Sequence, residues 1–192
     1  INTINSGKSD SSYGMPKKLL YGENFIIEKL GMYEFEISAD SFFQTNSLQA
    51  LNLYEYIRDE ALLSGKETIY DFFCGTGTIS LFLSENAKKV FGFEIVESAI
   101  IDAKKNAIRN NIKNADFFCG DLSKMLIDYD HIIKNNPCDV LILDPPRAGI
   151  HPKTLKEIVK INPKKIIYVS CNPTTQARDV RELINSDYIM GA

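Results

Sequence analysis

Apolar residues recur along this chain with two spacings, and each predicts a different element. In residues 33–37, Tyr33, Phe35 and Ile37 alternate with Glu34 and Glu36, the two-residue period of a strand with one polar face. Residues 24–30 read as its partner, with Gly31 and Met32 at the turn. Residues 47–63 place Leu48, Leu51, Tyr54 and Ile57 three or four positions apart, which predicts a helix with those side chains facing the core. Beyond it, short apolar runs at 68–73, 90–95, 115–118, 140–143 and 165–170 alternate with helix candidates at 79–85, 97–110, 124–133, 152–161 and 174–184. Such alternation predicts an α/β fold, a parallel sheet with right-handed crossovers. Residues 1–20, polar and rich in Ser, Asn and Lys, read as a mobile lead-in or strand-poor linker. The chain thus divides into a linker and β-hairpin over 1–40 and one α/β unit over 41–192.

Composition narrows this picture little. A chain of 192 residues, 44% hydrophobic and 24% charged, suits one globular domain. No apolar run approaches the ~18 residues of a membrane span, and no signal-peptide pattern opens the chain. No membrane and no protein partner is expected. Ile1 in place of Met suggests a piece of a longer protein. Cys74, Cys119, Cys138 and Cys171 are too widely spaced for a metal or redox motif, so a reducing cytoplasm is the expected setting. The net charge of −3 hides an asymmetry. Between Arg147 and Arg181, eight Lys/Arg stand against Glu157 and Asp179, a net of +6, which leaves −9 elsewhere. A solvated helix face explains such a flank as well as phosphate contacts do.

Candidate chemistry gathers at the strand ends. The first strand of the α/β unit runs into Asp71-Phe72-Phe73-Cys74-Gly75-Thr76-Gly77, an acid before a Gly-x-Gly turn, which lets backbone approach a ligand at the carboxyl edge of the sheet. Strand two ends at Glu94, placed to accept both hydroxyls of a ribose, and Gly120-Asp121 follows strand three, placed to accept from an adenine amino group. Each acid alone reads equally as a surface residue; consecutive strand ends make them a set. No Walker Lys-Ser/Thr follows Gly77, which argues against a nucleoside triphosphate, and the set points to S-adenosylmethionine rather than a nicotinamide.

Strand four ends in Asp144-Pro145-Pro146-Arg147 and strand five in Ser170-Cys171-Asn172-Pro173. The prolines stiffen the first segment and hold the Asp144 carboxylate in place. Asn172 suits a helix N-cap and Pro173 the first helical position, so Cys171 stands at the positive end of a helix, where a thiolate is favoured. A thiolate has a specific use on a pyrimidine. Added to C6 of uracil, it moves electron density onto C5, which then attacks a methyl sulfonium. Without its neighbours, Cys171 reads as a buried strand-end cysteine.

These motifs resemble the RNA uracil-C5 (m5U) methyltransferase family. The resemblance lies in Ser41-Phe42-Phe43-Gln44-Thr45-Asn46, Asp71 to Thr78, Asp144-Pro145-Pro146-Arg147, and Ser170-Cys171-Asn172-Pro173 with Thr175 and Ala177-Arg178-Asp179, in that order, and extends over about residues 19–188. It implies a class I S-adenosylmethionine-dependent (Rossmann-like) fold. It also implies donor contacts from Gln44, Phe73, Glu94 and Asp144, with Gly75 and Asp121 completing the pocket, and Cys171 as nucleophile. Phe43 (or Phe42) would stack near a flipped-out uridine, and Arg147 and Asn172 would join the substrate side. Phe73 stands where the family usually has Tyr, which keeps the ring and loses a hydroxyl. Gly-Thr-Gly-Thr and Ala-Arg-Asp are more similar to the 23S rRNA branch than to the tRNA branch. That branch often carries an N-terminal RNA-binding β-barrel and an iron–sulfur cluster, whose sequence elements these residues lack. The family's general-base Glu and the last two strands of its sheet are expected past residue 192, so the chain alone is expected to bind the donor without completing turnover. Two other readings differ in chemistry: an amino-group methyltransferase, which needs no cysteine, and a non-catalytic RNA-binding module with a degenerate pocket.

Overall fold

The structure, a computed structural model, describes residues 2–3, 17–39 and 41–191. Two short strands, β1 (Asn2–Thr3) and β2 (Lys17–Lys18), pair antiparallel; most of the lead-in expected over residues 1–20 lies outside the described residues. β3 (Phe25–Leu30) and β4 (Tyr33–Ser38) form the expected hairpin, with Leu30 paired to Tyr33 across the turn. Then follow α1 (Ser47–Ala61), β5 (Thr68–Phe72), α2 (Thr78–Ser84), β6 (Lys89–Glu94), α3 (Glu97–Arg109), β7 (Ala115–Cys119), α4 (Leu122–Asp128), α5 (Asp130–Asn135), β8 (Val140–Leu143), α6 (Pro152–Ile161), β9 (Lys165–Tyr168) and α7 (Pro173–Ile184).

Five of these strands form one parallel sheet in the order β7-β6-β5-β8-β9. Alternate residues of a strand point to opposite faces, so a sheet covered on both sides needs apolar residues at nearly every position. β5 and β8 meet that demand and are buried throughout. Ile69, Val90, Phe117, Val140 and Ile142 pack with the hairpin, α1, α2 and α3. Tyr70, Phe72, Phe91, Phe93, Leu141 and Leu143 pack with α4, α6 and α7 on the other face. Among the described residues β9 is an edge strand, and its residues are only half-buried.

Three expectations need correction. The single helix expected over 124–133 is two, α4 and α5, divided at Tyr129, whose backbone leaves helical geometry where its ring packs on Phe118 at 4.8 Å. The stripe expected on α1 is also rotated. Leu48 is 77% exposed and Leu51 half-buried, while Ala50, Tyr54, Ile57 and Ala61 face the core, because that face meets β3 and α2. Glu36, read as solvent-facing, is buried.

The reason for Glu36 is how the hairpin docks. Asp102 and Asn106 on α3 and Asn110 at its C-cap fall at i, i+4 and i+8 and so share one face. They hydrogen-bond the outward backbone of alternate β4 residues. Asn110 Oδ1 accepts from Glu34 N at 2.9 Å, Asn106 Oδ1 from Glu36 N at 2.6 Å, and Asp102 Oδ2 from Ser38 N at 3.0 Å. Asn110 and Asn106 return a bond from Nδ2 to the carbonyls of Glu34 (2.8 Å) and Glu36 (3.1 Å). A helix thus satisfies a strand edge that would otherwise be open. The Glu36 side chain then lies against α3, paired with Lys105 at 2.8 Å and Arg109 at 3.2 Å. The Lys105 hydrogen bond, with Arg109 behind it, holds its carboxyl below the usual range against the opposing effect of burial.

Candidate active site

The loops after β5, β6, β7, β8 and β9 leave the same edge of the sheet, because all five strands run in one direction. After β5 the chain turns sharply through Phe73 (φ 67°), Gly75 (φ 55°) and Gly77 (φ 79°). Phe73 N and Cys74 N both donate to the carbonyl of Phe93, at 2.9 and 3.1 Å, and Gly77 N donates to Cys74 O at 2.9 Å. The two glycines serve different ends. A Cβ on Gly77 would meet the Phe117 ring at 2.9 Å, so this glycine lets α2 pack on the sheet. A Cβ on Gly75 would meet nothing within 4 Å, because that side opens on the cleft.

That cleft is lined by Phe42, Phe43, Gln44, Tyr54, Phe73, Gly75, Thr78 and Asp144, among others. Five expected residues, Phe43, Gln44, Phe73, Gly75 and Asp144, therefore meet. Burial pushes the Asp144 carboxyl up to about 6. Behind the turn, Asp71 is fully buried, not open to the cleft. Its Oδ2 accepts from Ser80 Oγ at 2.5 Å, and its Oδ1 has no partner among the described residues. Burial pushes it up to about 7 although the Ser80 bond opposes this. Two carboxyl groups held with too little solvation make the region receptive to a cation.

A second cleft is lined by Phe73, Phe93, Glu94, Ile95, Gly120, Asp121, Leu122 and Thr154. Phe73 borders both. Glu94 is fixed by three backbone donors: Gly75 N on Oε2 at 3.2 Å, and Ile95 N and Val96 N on Oε1 at 2.8 and 3.0 Å. Asp121 is also the N-cap of α4, its Oδ1 accepting from Ser123 N at 3.0 Å, Lys124 N at 3.3 Å and Ser123 Oγ at 2.5 Å. The Ser123 hydrogen bond holds its carboxyl below the usual range.

Arg147, Cys171 and Asn172 line neither cleft. They stand on the neighbouring loops after β8 and β9, which Asn172 joins. Its Nδ2 donates to Arg147 O at 3.0 Å and its Oδ1 caps α7 by accepting from Thr174 N at 3.1 Å. With both ends of its amide engaged, Asn172 acts as a strut. Cys171 is exposed, unlike buried Cys74 and Cys138. Phe42 is 73% exposed, whereas Phe43 is half-buried and packs its ring 5.8 Å from Phe35; both border the first cleft.

Sequence reasoning misses Tyr54, Thr78, Leu122 and Thr154 as lining residues. Tyr54 reads as core, and its hydroxyl does lie in the protein, 3.3 Å from Thr78 Oγ1. Thr154 lies on α6, past the end of the Asp144–Arg147 motif, and carries no sequence signal of its own. Of the basic flank, Lys160, Lys164 and Arg178 pair with Glu157, Asp139 and Asp179. Among the described residues Arg147, Lys153, Lys156 and Arg181 form no ion pair. No helix there is long and apolar enough to cross a membrane.

Comparison with known proteins points one way. A family model described as tRNA (Uracil-5-)-methyltransferase matches residues 13–191. An uncharacterized RNA methyltransferase of Caldanaerobacter subterraneus subsp. tengcongensis is 45% identical over 188 residues, 98% of this chain and 41% of the relative. One from Chlorobaculum tepidum is 40% identical over 190 residues, 99% of this chain and 39% of the relative. The chain thus spans about two fifths of the length of the curated relatives it matches. Among solved structures, the Pyrococcus abyssi tRNA (uracil-54, C5)-methyltransferase in complex with S-adenosyl-L-homocysteine is similar with a TM-score of 0.76 and 38% identity, over 94% of this chain and 43% of that one. An S-adenosylmethionine-dependent methyltransferase of Agrobacterium tumefaciens, 18% identical with a TM-score of 0.66 over 88% of this chain and 60% of its own, shares the fold.

Proposed function

Since the chain belongs to the tRNA (uracil-5-)-methyltransferase family, we propose that it is the donor-binding catalytic unit of an enzyme that methylates C5 of a uridine in RNA. The unit is residues 41–192, with 1–40 as its linker and hairpin, and its setting is the cytoplasm. The residues present suit S-adenosylmethionine: an open face at Gly75, a ring at Phe73, a backbone-fixed carboxylate at Glu94, and the under-solvated carboxyls of Asp71 and Asp144 for a cationic donor. Gln44, Phe73, Gly75 and Asp144 would hold one part of it and Glu94 and Asp121 the other. When bound, it supplies the methyl group.

The cysteine's part follows from its placement. Cys171 sulfur bonds to C6 of the uracil, and the C5=C6 π pair moves onto C5 and the adjoining carbonyl. C5 then takes the methyl group. A base removes the C5 proton, the double bond re-forms and the C6–S bond breaks. Phe42 would stack on the displaced base, and Arg147 with neighbouring cations would meet phosphate. The observation that carries this reading is an exposed Cys171 on the loop after β9, tied by Asn172 to the Asp144–Arg147 segment whose carboxylate lines the donor cleft.

Ribosomal RNA is our reading of the target, on Gly75-Thr76-Gly77-Thr78 and Ala177-Arg178-Asp179. Transfer RNA is the second reading, favoured by the 38% identical tRNA methyltransferase from Pyrococcus abyssi. RNA carrying 5-fluorouridine tests the chemistry, because fluorine cannot leave as a proton. The full protein should accumulate a covalent RNA adduct through Cys171 and Cys171→Ser should form none. An adduct that persists in Cys171→Ser would sink the reading, and rRNA and tRNA fragments used in parallel separate the two targets.

A further inference from the structure

Ala177-Arg178-Asp179 sits at a junction of three elements. Asp179 lies on α7, two turns past Cys171, and is 0% exposed. Its Oδ2 accepts from Ile150 N and from the Tyr168 hydroxyl, both at 2.7 Å. Its Oδ1 accepts from Arg178 Nε at 2.8 Å, with Nη2 in ion-pair contact at 2.7 Å. Arg178 Nη2 also donates to the carbonyls of Ala148 (3.1 Å) and Ile150 (3.3 Å).

What these bonds grip is the loop that leaves β8 with Asp144 and Arg147. The Arg147 carbonyl is held in turn by Asn172 Nδ2 at 3.0 Å and Thr175 Oγ1 at 3.3 Å. The loop approaches α7 so closely that a Cβ on Gly149 (φ 76°) would meet Arg178 Nη2 at 2.5 Å and Asp179 Oδ2 at 2.7 Å. A buried carboxylate is costly unless its oxygens are fully paired. Here the pairing draws one donor from the β8–α6 loop, one from β9 and one, with its ion pair, from α7, so the charge is satisfied only when all three elements are in place.

We propose that Asp179 is a positioning residue for the reaction: through Arg178 and the Ile150 N–H it holds the 147–151 segment against α7, and so sets Arg147 relative to the Cys171 sulfur. The inference rests on the reading of Cys171 given above. Asp179→Asn keeps the size and an acceptor while removing the charge and turning donor against donor at one of its contacts. In the full protein, the rate of adduct formation on saturating 5-fluorouridine RNA should fall roughly 10- to 100-fold, the loss expected for a buried charge-assisted hydrogen bond. The calorimetric Kd for S-adenosylmethionine, whose cleft residues do not touch Asp179, should change by less than about threefold, under about 0.7 kcal/mol. Tyr168→Phe removes one donor and keeps the ring, and should slow adduct formation in the same direction by less. Adduct rate and donor affinity falling together would mark a merely structural role and overturn the inference, as would an unchanged rate. Should Asp179→Asn not fold, Tyr168→Phe decides alone on the same criteria. If the unaltered protein forms no adduct, the nucleophile reading fails and the inference with it. A normal adduct in the unaltered protein with unchanged rates in the variants removes the inference alone.

Discussion

Replacing Asn106 by Leu tests whether α3 carries the hairpin. The Asn106 side chain is 0% exposed and makes three bonds: Oδ1 from Glu36 N at 2.6 Å, and Nδ2 to Glu36 O at 3.1 Å and Thr76 O at 3.4 Å. Glu36 N and O face away from β3, so Leu of similar volume leaves a buried donor and a buried acceptor unpaired. Each such group costs about 1–3 kcal/mol, partly offset because an amide no longer has to be desolvated, so a net loss of about 2–4 kcal/mol is expected. The 3.4 Å contact to Thr76 adds little. For a chain of this size that loss corresponds to a drop of roughly 5–15 °C in the unfolding midpoint. The internal control is Asn110→Leu, which breaks the same kind of bond at Glu34, where the site is exposed and water replaces the partner. It should cost under about 1 kcal/mol. Chemical denaturation of both variants with S-adenosylmethionine absent measures the difference. Equal losses at the two positions, or less than about 0.5 kcal/mol at Asn106, would refute the claim that the buried rung holds the hairpin in place.

Gly75→Ala should weaken S-adenosylmethionine binding tenfold or more while costing about 1–2 kcal/mol of stability, because its φ of 55° is strained for alanine but the added Cβ enters only the cleft. Gly77→Ala, driven into Phe117, should instead lower the melting midpoint more than Gly75→Ala does. Donor affinity should rise with pH through the window of about 6 to 7. Asp144 and Asp71 are raised to about 6 and about 7 by burial, hence protonated below those values, and only their ionised forms attract a cation. Calorimetry at pH 5.5 and 8 reads this, and Asp144→Asn should flatten it. The same raised values mean the folded protein holds protons that the unfolded chain has lost, so these two groups stabilise the unliganded fold less as pH climbs from about 4 to 7. Lys153→Glu with Lys156→Glu should weaken RNA binding and flatten its salt dependence by about one unit for each phosphate no longer neutralised, leaving donor binding unchanged; an unaltered slope excludes α6 from the RNA face.

Much of this protein was legible along the chain because local period and local chemistry carry it. Strands buried on both faces read as continuous apolar runs, and β5, β6, β7, β8 and β9 fell where those runs lie, within two residues at each end. Asn172 and Pro173 announced the start of α7 through their own backbone preferences, and Gly75 and Gly77 the turn before α2. The motif residues reached one sheet edge because parallel strands must deliver their carboxyl ends to the same side.

What the chain could not show depends on partners distant in sequence. Glu36 looked solvent-facing until α3 arrived with Asn106 and Lys105 about 70 positions later. Leu48 and Tyr54 shared one helical stripe, and only the placement of β3 and α2 turned Leu48 outward and Tyr54 inward. Phe42 and Phe43 are equivalent in sequence, and packing on Phe35 separated them. Asp179 was one acid in a basic run until a loop 29 residues earlier closed over it. Periodicity states which residues can be buried together on one element; which neighbour buries them, and which polar group must then be satisfied, is decided by contacts that exist only once the chain has folded.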